Sequence, residues 1–117
     1  MDMQTATIEN EIDICALTDL VEDAGTAALV NDTQIAIFYV KKTAQVFALS
    51  NYDPFSDANV LSRGIIGSIG DDLVVASPIY KQHFKLETGQ CVEDDTISID
   101  NYPVQIIDGR VLIGLAS

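Results

Sequence analysis

Val74-Val75-Ala76-Ser77-Pro78-Ile79-Tyr80-Lys81-Gln82-His83-Phe84, followed by Leu86 and by Thr88-Gly89, carries an apolar run into a proline, crosses a short polar loop and restarts on an aromatic. Proline lacks an amide hydrogen, so it ends a strand ladder rather than continuing it. The stretch therefore reads as strand, loop, strand, closed by a Thr-Gly turn. A second stretch has the same build. Val46-Phe47-Ala48-Leu49-Ser50 reads as a strand and runs into Asn51-Tyr52-Asp53-Pro54-Phe55-Ser56, again a loop of aromatics, proline and polar side chains.

The chain around these two loops is patterned as short strands. Glu11 to Leu17 alternates polar and apolar at first, and Thr18 to Gly25 is a turn or a single helical turn. Thr26 to Val30 is a strand that ends at Asn31-Asp32. Thr33 to Val40 carries Ile35, Ile37 and Tyr39 on one face and Ala36, Phe38 and Val40 on the other. Both faces are apolar, which predicts a central strand. Ala44 to Ser50 follows as its hairpin partner. Ser56 to Gly64 fits a short helix, with Ser56 or Asp57 as its cap and Gly64 at its end. Ile65 to Ile69 and Asp72 to Ser77 pair around Gly70-Asp71, and Phe84 to Glu87 is a further strand. Cys91 to Thr96 is an acidic exposed crossing, and Ile97 to Ile99 is a short strand. Tyr102 to Ile107 and Arg110 to Ile113 flank Asp108-Gly109, a hairpin signal. About nine strands with one short helix, turning every eight to twelve residues, give an all-β sandwich or barrel.

Composition narrows the function. A chain of 117 residues supports one domain, with residues 1–10 as a loose tail and 11–117 as the folded unit. Eighteen acids against six bases leave a net charge of −12, which disfavours nucleic acid and anionic membranes as partners. The first ten residues have neither the basic region nor the apolar block of a signal peptide, and no apolar run is long enough to span a bilayer. A cytoplasmic location is expected, with Cys15 and Cys91 reduced and serving as small apolar side chains. Catalysis finds no constellation. Ser77, His83 and Asp53 do not form a nucleophile elbow, and Pro78 removes an amide that an oxyanion hole could use. Asp53 and His83 are legitimate metal ligands, but two ligands make a poor site. The glycines at 64, 67 and 70 are not a dinucleotide fingerprint. Polar groups on the two loops, Asp53 with Tyr80 or His83, are expected to hydrogen-bond across the gap between them.

The two loops together resemble the cluster-binding loops of Rieske [2Fe–2S] domains. Those loops read Cys-x-His at the end of a strand and Cys-Pro-x-His-Gly-x-x-Phe before a Thr-Gly turn. Asn51 stands at the first cysteine position, Asp53 at the first histidine, Ser77 at the second cysteine, Tyr80 at the second histidine and Lys81 at the glycine. Two thiolates and two imidazoles hold such a cluster, and none of the four is present. Within the Rieske-like proteins, Asn51-Tyr52-Asp53-Pro54-Phe55 and Ser77-Pro78-Ile79-Tyr80-Lys81-Gln82-His83-Phe84 are similar to the small subunit of the cytoplasmic NAD(P)H-dependent nitrite reductase. The resemblance runs from about Ile14 to Leu115. It implies a Rieske-like fold, an antiparallel β-sandwich with a smaller subdomain carrying the loops. It also implies an accessory role in the reduction of nitrite to ammonium in nitrate assimilation, without a cofactor or redox centre in this chain. The partner would be a large subunit carrying FAD, [4Fe–4S] and sirohaem. The loop tip, with Tyr52, Pro54, Phe55, Pro78, Tyr80, Lys81, Gln82 and His83, is the expected contact surface, although Phe55 and Phe84 also suit core plugs beneath the loops. Two alternatives are a ferredoxin-like electron-transfer module with an unorthodox metal centre and a free-standing binding domain.

Overall fold

The computed structural model describes residues 11–115. The tail read over residues 1–10 lies outside them. Twelve strands form: β1 (Glu11–Ala16), β2 (Ala24–Val30), β3 (Thr33–Val40), β4 (Gln45–Ser50), β5 (Tyr52–Asp53), β6 (Ala58–Asn59), β7 (Ile65–Ile69), β8 (Asp72–Ala76), β9 (His83–Lys85), β10 (Asn101–Tyr102), β11 (Val104–Ile107) and β12 (Arg110–Gly114). They assemble into a four-stranded sheet of order β10-β4-β3-β2, two three-stranded sheets, β1-β12-β11 and β7-β8-β9, and the small pair β5-β6.

The β3 strand is central, as its two apolar faces require. Its register against β2 runs from Ala24 opposite Tyr39 to Val30 opposite Thr33, and against β4 from Ile35 opposite Ser50 to Val40 opposite Gln45. Ile35 and Ile37 pack into one core with Val30, Ala48, Leu20 and, from β12, Val111 and Ile113. Ala36, Phe38 and Val40 point the other way, into a second core with Leu49, Leu61, Val75, Phe84, Leu86, Cys91 and Ile99. Both sheet faces are thus buried by different layers. A fully buried Phe or Ile is worth about 1.5–3 kcal/mol, so the two cores anchor the loops' parent strands firmly. Asn31 and Asp32 take positive φ, 49° and 67°, and Asp108 and Gly109 take 52° and 75°. These two hairpin turns hold φ above zero at both positions, which these residue types tolerate best.

Three expectations are corrected. The helix expected over residues 56–64 is absent. Ala58–Asn59 pairs instead with Tyr52–Asp53, and only a single 3-10 turn, Leu61–Arg63, follows. The expected caps are engaged elsewhere: the Ser56 hydroxyl donates to Asp53, and Asp57 sits at φ 55° with its carboxylate taken by Tyr52. Gly64 does close the turn, through its amide to Leu61 O at 2.9 Å. The strand expected over Ile97–Ile99 reduces to one bridge, Gln90 opposite Ser98. The strand count is twelve rather than nine because the chain breaks its pairing at each loop and at Pro103, where it passes from the β10 ladder to β11. The turn over Leu61–Arg63 packs closely on β2, since a Cβ at Gly25 would stand 2.4 Å from Ser62 O. Only glycine permits that approach.

Candidate functional site

Two loops leave the second core side by side. The first follows β4 through Asn51 and is folded back by the β5-β6 pair. The second spans Ser77 to Gln82 between β8 and β9. Its ends are tied by the Ser77 amide donating to Gln82 O at 2.8 Å, and the Lys81 amide donates to Ser77 O at 3.2 Å.

Asp53 is the joint between them. Its side chain is fully buried and meets no cation among the described residues. Its carboxylate instead accepts from the Phe55 amide and the Ser56 hydroxyl, both at 2.9 Å, and from the hydroxyl of Ser77 across the gap. Ser77 is itself fully buried and accepts from the Ile79 amide at 3.4 Å. Asn51, 2% exposed, fastens the base of the first loop. Its amide oxygen accepts from Ser62 N at 2.7 Å, its amide nitrogen donates to Asn59 O at 3.3 Å, and its backbone N–H donates to Gln34 O on β3 at 3.0 Å. A buried polar group left unpaired costs about 1–3 kcal/mol, and here each of these three side chains is partnered.

The expected cross-brace therefore exists with a different partner. Asp53 reaches Ser77, not Tyr80 or His83. Tyr80 is 59% exposed and turns away from the joint. His83 is held by Glu93: its backbone N–H donates to Oε1 at 2.8 Å and its Nδ1 lies 2.6 Å from Oε2. Burial of Glu93 works to raise its pKa, but the His83 amide and imidazole, together with Glu93's own backbone amide, hold the carboxyl below its ordinary value. Asp53 and His83 are not brought together as metal ligands.

The donor set does not fit a [2Fe–2S] cluster. Of the four ligand positions, Asn51 and Ser77 are neutral oxygen or nitrogen groups already spent on structural bonds. Asp53 is a hard carboxylate and Tyr80 points outward. Neither thiol substitutes. Cys91 lies in the second core, where its Sγ meets Glu93 Oε1 at 3.7 Å, and burial raises its pKa. Cys15 packs with the first core, and burial raises its pKa too.

At the tip, Tyr52, Pro54, Tyr80 and Lys81 are exposed, whereas Phe55, Pro78, Gln82 and His83 are half-buried. Phe55 packs on the fully buried Phe84, ring centroids 6.1 Å apart and planes at 49°, so both serve as plugs under the loops. Gln82 turns inward, its Oε1 buried without a hydrogen-bond partner among the described residues. The Tyr52 hydroxyl donates to Asp57 Oδ1 at 2.5 Å, which raises the phenol's pKa. Sequence reasoning missed two apolar side chains near this tip. Ile79 is 47% exposed on the second loop, and Ile65, opposite Ala76 at that loop's base, is 75% exposed. Ile79 could have been found from its place between Pro78 and Tyr80. Ile65 could not, because its strand reads like any half-buried one.

Comparison with known proteins gives the family of the chain. The family described as the Rieske-like [2Fe-2S] domain matches residues 11–114. The nitrite reductase (NADH) small subunit of Escherichia coli K12 is 46% identical over 99 residues, covering 85% of this chain and 92% of that one. The solution structure of the nitrite reductase [NAD(P)H] small subunit from Erwinia carotovora superposes with a TM-score of 0.79 at 45% identity, covering 92% of this chain and 83% of that one. A stretch making up 10% of the nitrite reductase [NAD(P)H] large subunit of Klebsiella oxytoca is 39% identical to 86% of this chain.

Proposed function

The chain belongs to the Rieske-like [2Fe-2S] domain family, among the nitrite reductase small subunits, and on that premise we propose that it is an accessory subunit of an NAD(P)H-dependent nitrite reductase. It docks on the large subunit and supports its assembly, and it carries no electrons itself. The observation behind this is the Asp53–Ser77 joint. Where the fold would hold a cluster between two loops, this chain holds the loops together with its own polar side chains. The redox chemistry, electrons passing from NADH or NADPH to nitrite to give ammonium, then belongs to the partner, whose FAD, [4Fe–4S] and sirohaem the resemblance implies. The Klebsiella large subunit contains a stretch similar to this chain, which supports physical association of the two in one enzyme.

The contact surface on this reading is the tip formed by residues 51–56 and 77–84, with Tyr52, Pro54, Tyr80 and Lys81 outermost and Ile79 added to them. Aromatic and apolar side chains on a braced loop lose little entropy on docking and make good anchors. A cytoplasmic location fits a NAD(P)H-dependent enzyme. Among the described residues, no helix is long and apolar enough to cross a membrane. The test is purification of the chain with its large subunit from co-expressing cells, with iron and sulfide measured on the small chain alone. Stable co-elution with no iron or sulfide in the isolated chain is expected. Stoichiometric iron with visible absorption would restore the electron-transfer module, and failure to associate would leave a free-standing binding domain.

A further inference from the structure

Among the described residues, seven other than glycine hold positive φ, and five of them are Asp or Asn, the types that tolerate it. The other two are Ala44, which closes a 3-10 turn after β3, and Lys81, at φ 68° on the second loop. Every side chain with an ordinary Cβ is strained in the left-handed region, and glycine is not. Lys81 therefore stands where glycine would serve the fold better. Its ammonium is also positioned. Nζ donates to Pro78 O at 3.1 Å, folding the long side chain back across its own loop. One of three ammonium donors is used there, and the other two are left to face outward. Lys41, Lys85 and Arg110 are each held by an acid, Glu22, Asp72 and Asp13 respectively, whereas Lys81, like Lys42 and Arg63, is in no ion pair among the described residues, and of those three it alone lies on the loop tip.

We infer that Lys81 is a preorganised cationic anchor that receives a carboxylate of the large subunit. This rests on the docking role proposed for the loop tip and names the chemistry it reads. The chain carries a net charge of −12, so an acidic partner face meets repulsion almost everywhere on it. Screening limits that repulsion to about 8 Å at physiological salt, so an ammonium on a projecting loop acts on whatever lies directly opposite. The ammonium holds a carboxylate at one point of the loop, and Ile79 and Tyr80 beside it supply apolar contact once the register is set.

The inference is tested with the full chain and the purified large subunit, by titration calorimetry at two salt concentrations and by thermal melts of the chain alone. Lys81→Gly removes the charge and the strain together, while Lys81→Gln removes the charge and keeps the strained backbone. The expected result is that both variants bind about tenfold more weakly and lose part of the salt dependence of the wild type. Lys81→Gly should meanwhile melt at or above the wild-type temperature and Lys81→Gln should not exceed it. Weaker binding without lower stability separates an anchor from a structural residue. Binding by both variants within twofold of wild type, while Tyr80→Ala binds weakly, overturns the role of Lys81 and leaves the tip as the interface. Wild-type binding by all three variants, or none by the wild type, overturns the docking reading as well.

Discussion

The two loops sit where a metal cluster would join them, yet they are built by opposite means. The first, residues 51–59, is held by side chains. Asn51 and Asp53 are buried, and between them they engage Ser62, Asn59, Phe55, Ser56 and Ser77. The second, Ser77 to Gln82, is closed by backbone bonds and sends Ile79, Tyr80 and Lys81 outward. One loop turns its polar groups inward and becomes part of the fold. The other uses only Ser77 for the joint and keeps Ile79, Tyr80 and Lys81 for whatever lies outside. With the docking role proposed for the tip, the difference separates it into a bracket and a contact, and substitutions should divide accordingly.

The largest effect belongs to the bracket. Asp53→Ala orphans the Ser77 and Ser56 hydroxyls and the Phe55 amide at once, in a site that is fully or half buried. It should cost about 3 kcal/mol in urea unfolding, which is a fall in Tm on the order of 10 °C. Ser77→Ala is milder, since Asp53 keeps two of its three donors. About 1–2 kcal/mol is expected from that change. A loss by Asp53→Ala no greater than that of Ser77→Ala would mean that Asp53 matters only through its bond across the gap, and the bracket would then be a single contact.

The contact side should give the reverse pattern. Tyr52→Ala and Tyr80→Ala remove exposed rings and should leave urea midpoints within about 0.5 kcal/mol of wild type. Each should weaken binding to the large subunit by about 1–2 kcal/mol, read by calorimetry. Tyr52 is the sharper probe, because its hydroxyl also ties down Asp57 within the first loop. Tyr52→Phe isolates that bond. If Tyr52→Phe binds like wild type and Tyr52→Ala does not, the ring makes the contact and the hydroxyl belongs to the bracket.

How much of this division could be read from residues alone depends on where the determinants lie. The strands announced themselves, because Ile35 to Val40 and the Asp108-Gly109 turn carry their periodicity and φ demands in consecutive residues. The ligand positions Asn51, Asp53, Ser77 and Tyr80 were also legible, as a pattern. The partner of Asp53 was not. Tyr80 and His83 looked better suited than Ser77, but Pro78 and the left-handed Lys81 turn the loop so that Tyr80 points out and only the short Ser77 side chain faces the gap. His83 found Glu93 instead, ten residues on, through the bridge that brings Cys91 beside Phe84. The missing helix at 56–64 failed for a related reason. Its cap residues were drawn into bonds with Asp53 and Tyr52, which no local propensity records.

The smallest effect expected lies at the far end of the second loop, where His83 and Glu93 join it to the acidic crossing. Burial of the Glu93 carboxyl raises its pKa, and the His83 amide and imidazole with Glu93's own backbone amide lower it, so the folded-state value is depressed below the ordinary 4.5. A group whose folded pKa is depressed stabilises the fold fully above its unfolded pKa, and that contribution is lost as pH falls through the folded value. The window for the Glu93 carboxyl is therefore below about pH 4.5. Other acids, Asp94 among them with its bonds from Thr96, titrate in the same window. The wild-type curve alone thus does not isolate the pair. Glu93→Gln keeps an oxygen for the His83 amide and removes the charge, so the difference between the two stability curves reports Glu93. That difference should shrink as pH falls below about 4.5. Since Glu93 is 45% exposed, solvent weakens the pair, and the change should be smaller than either bracket substitution. A difference that grows on acidification would mean the carboxyl is destabilised in the fold. The His83–Glu93 contact would then be a liability that the second loop tolerates rather than one of its ties.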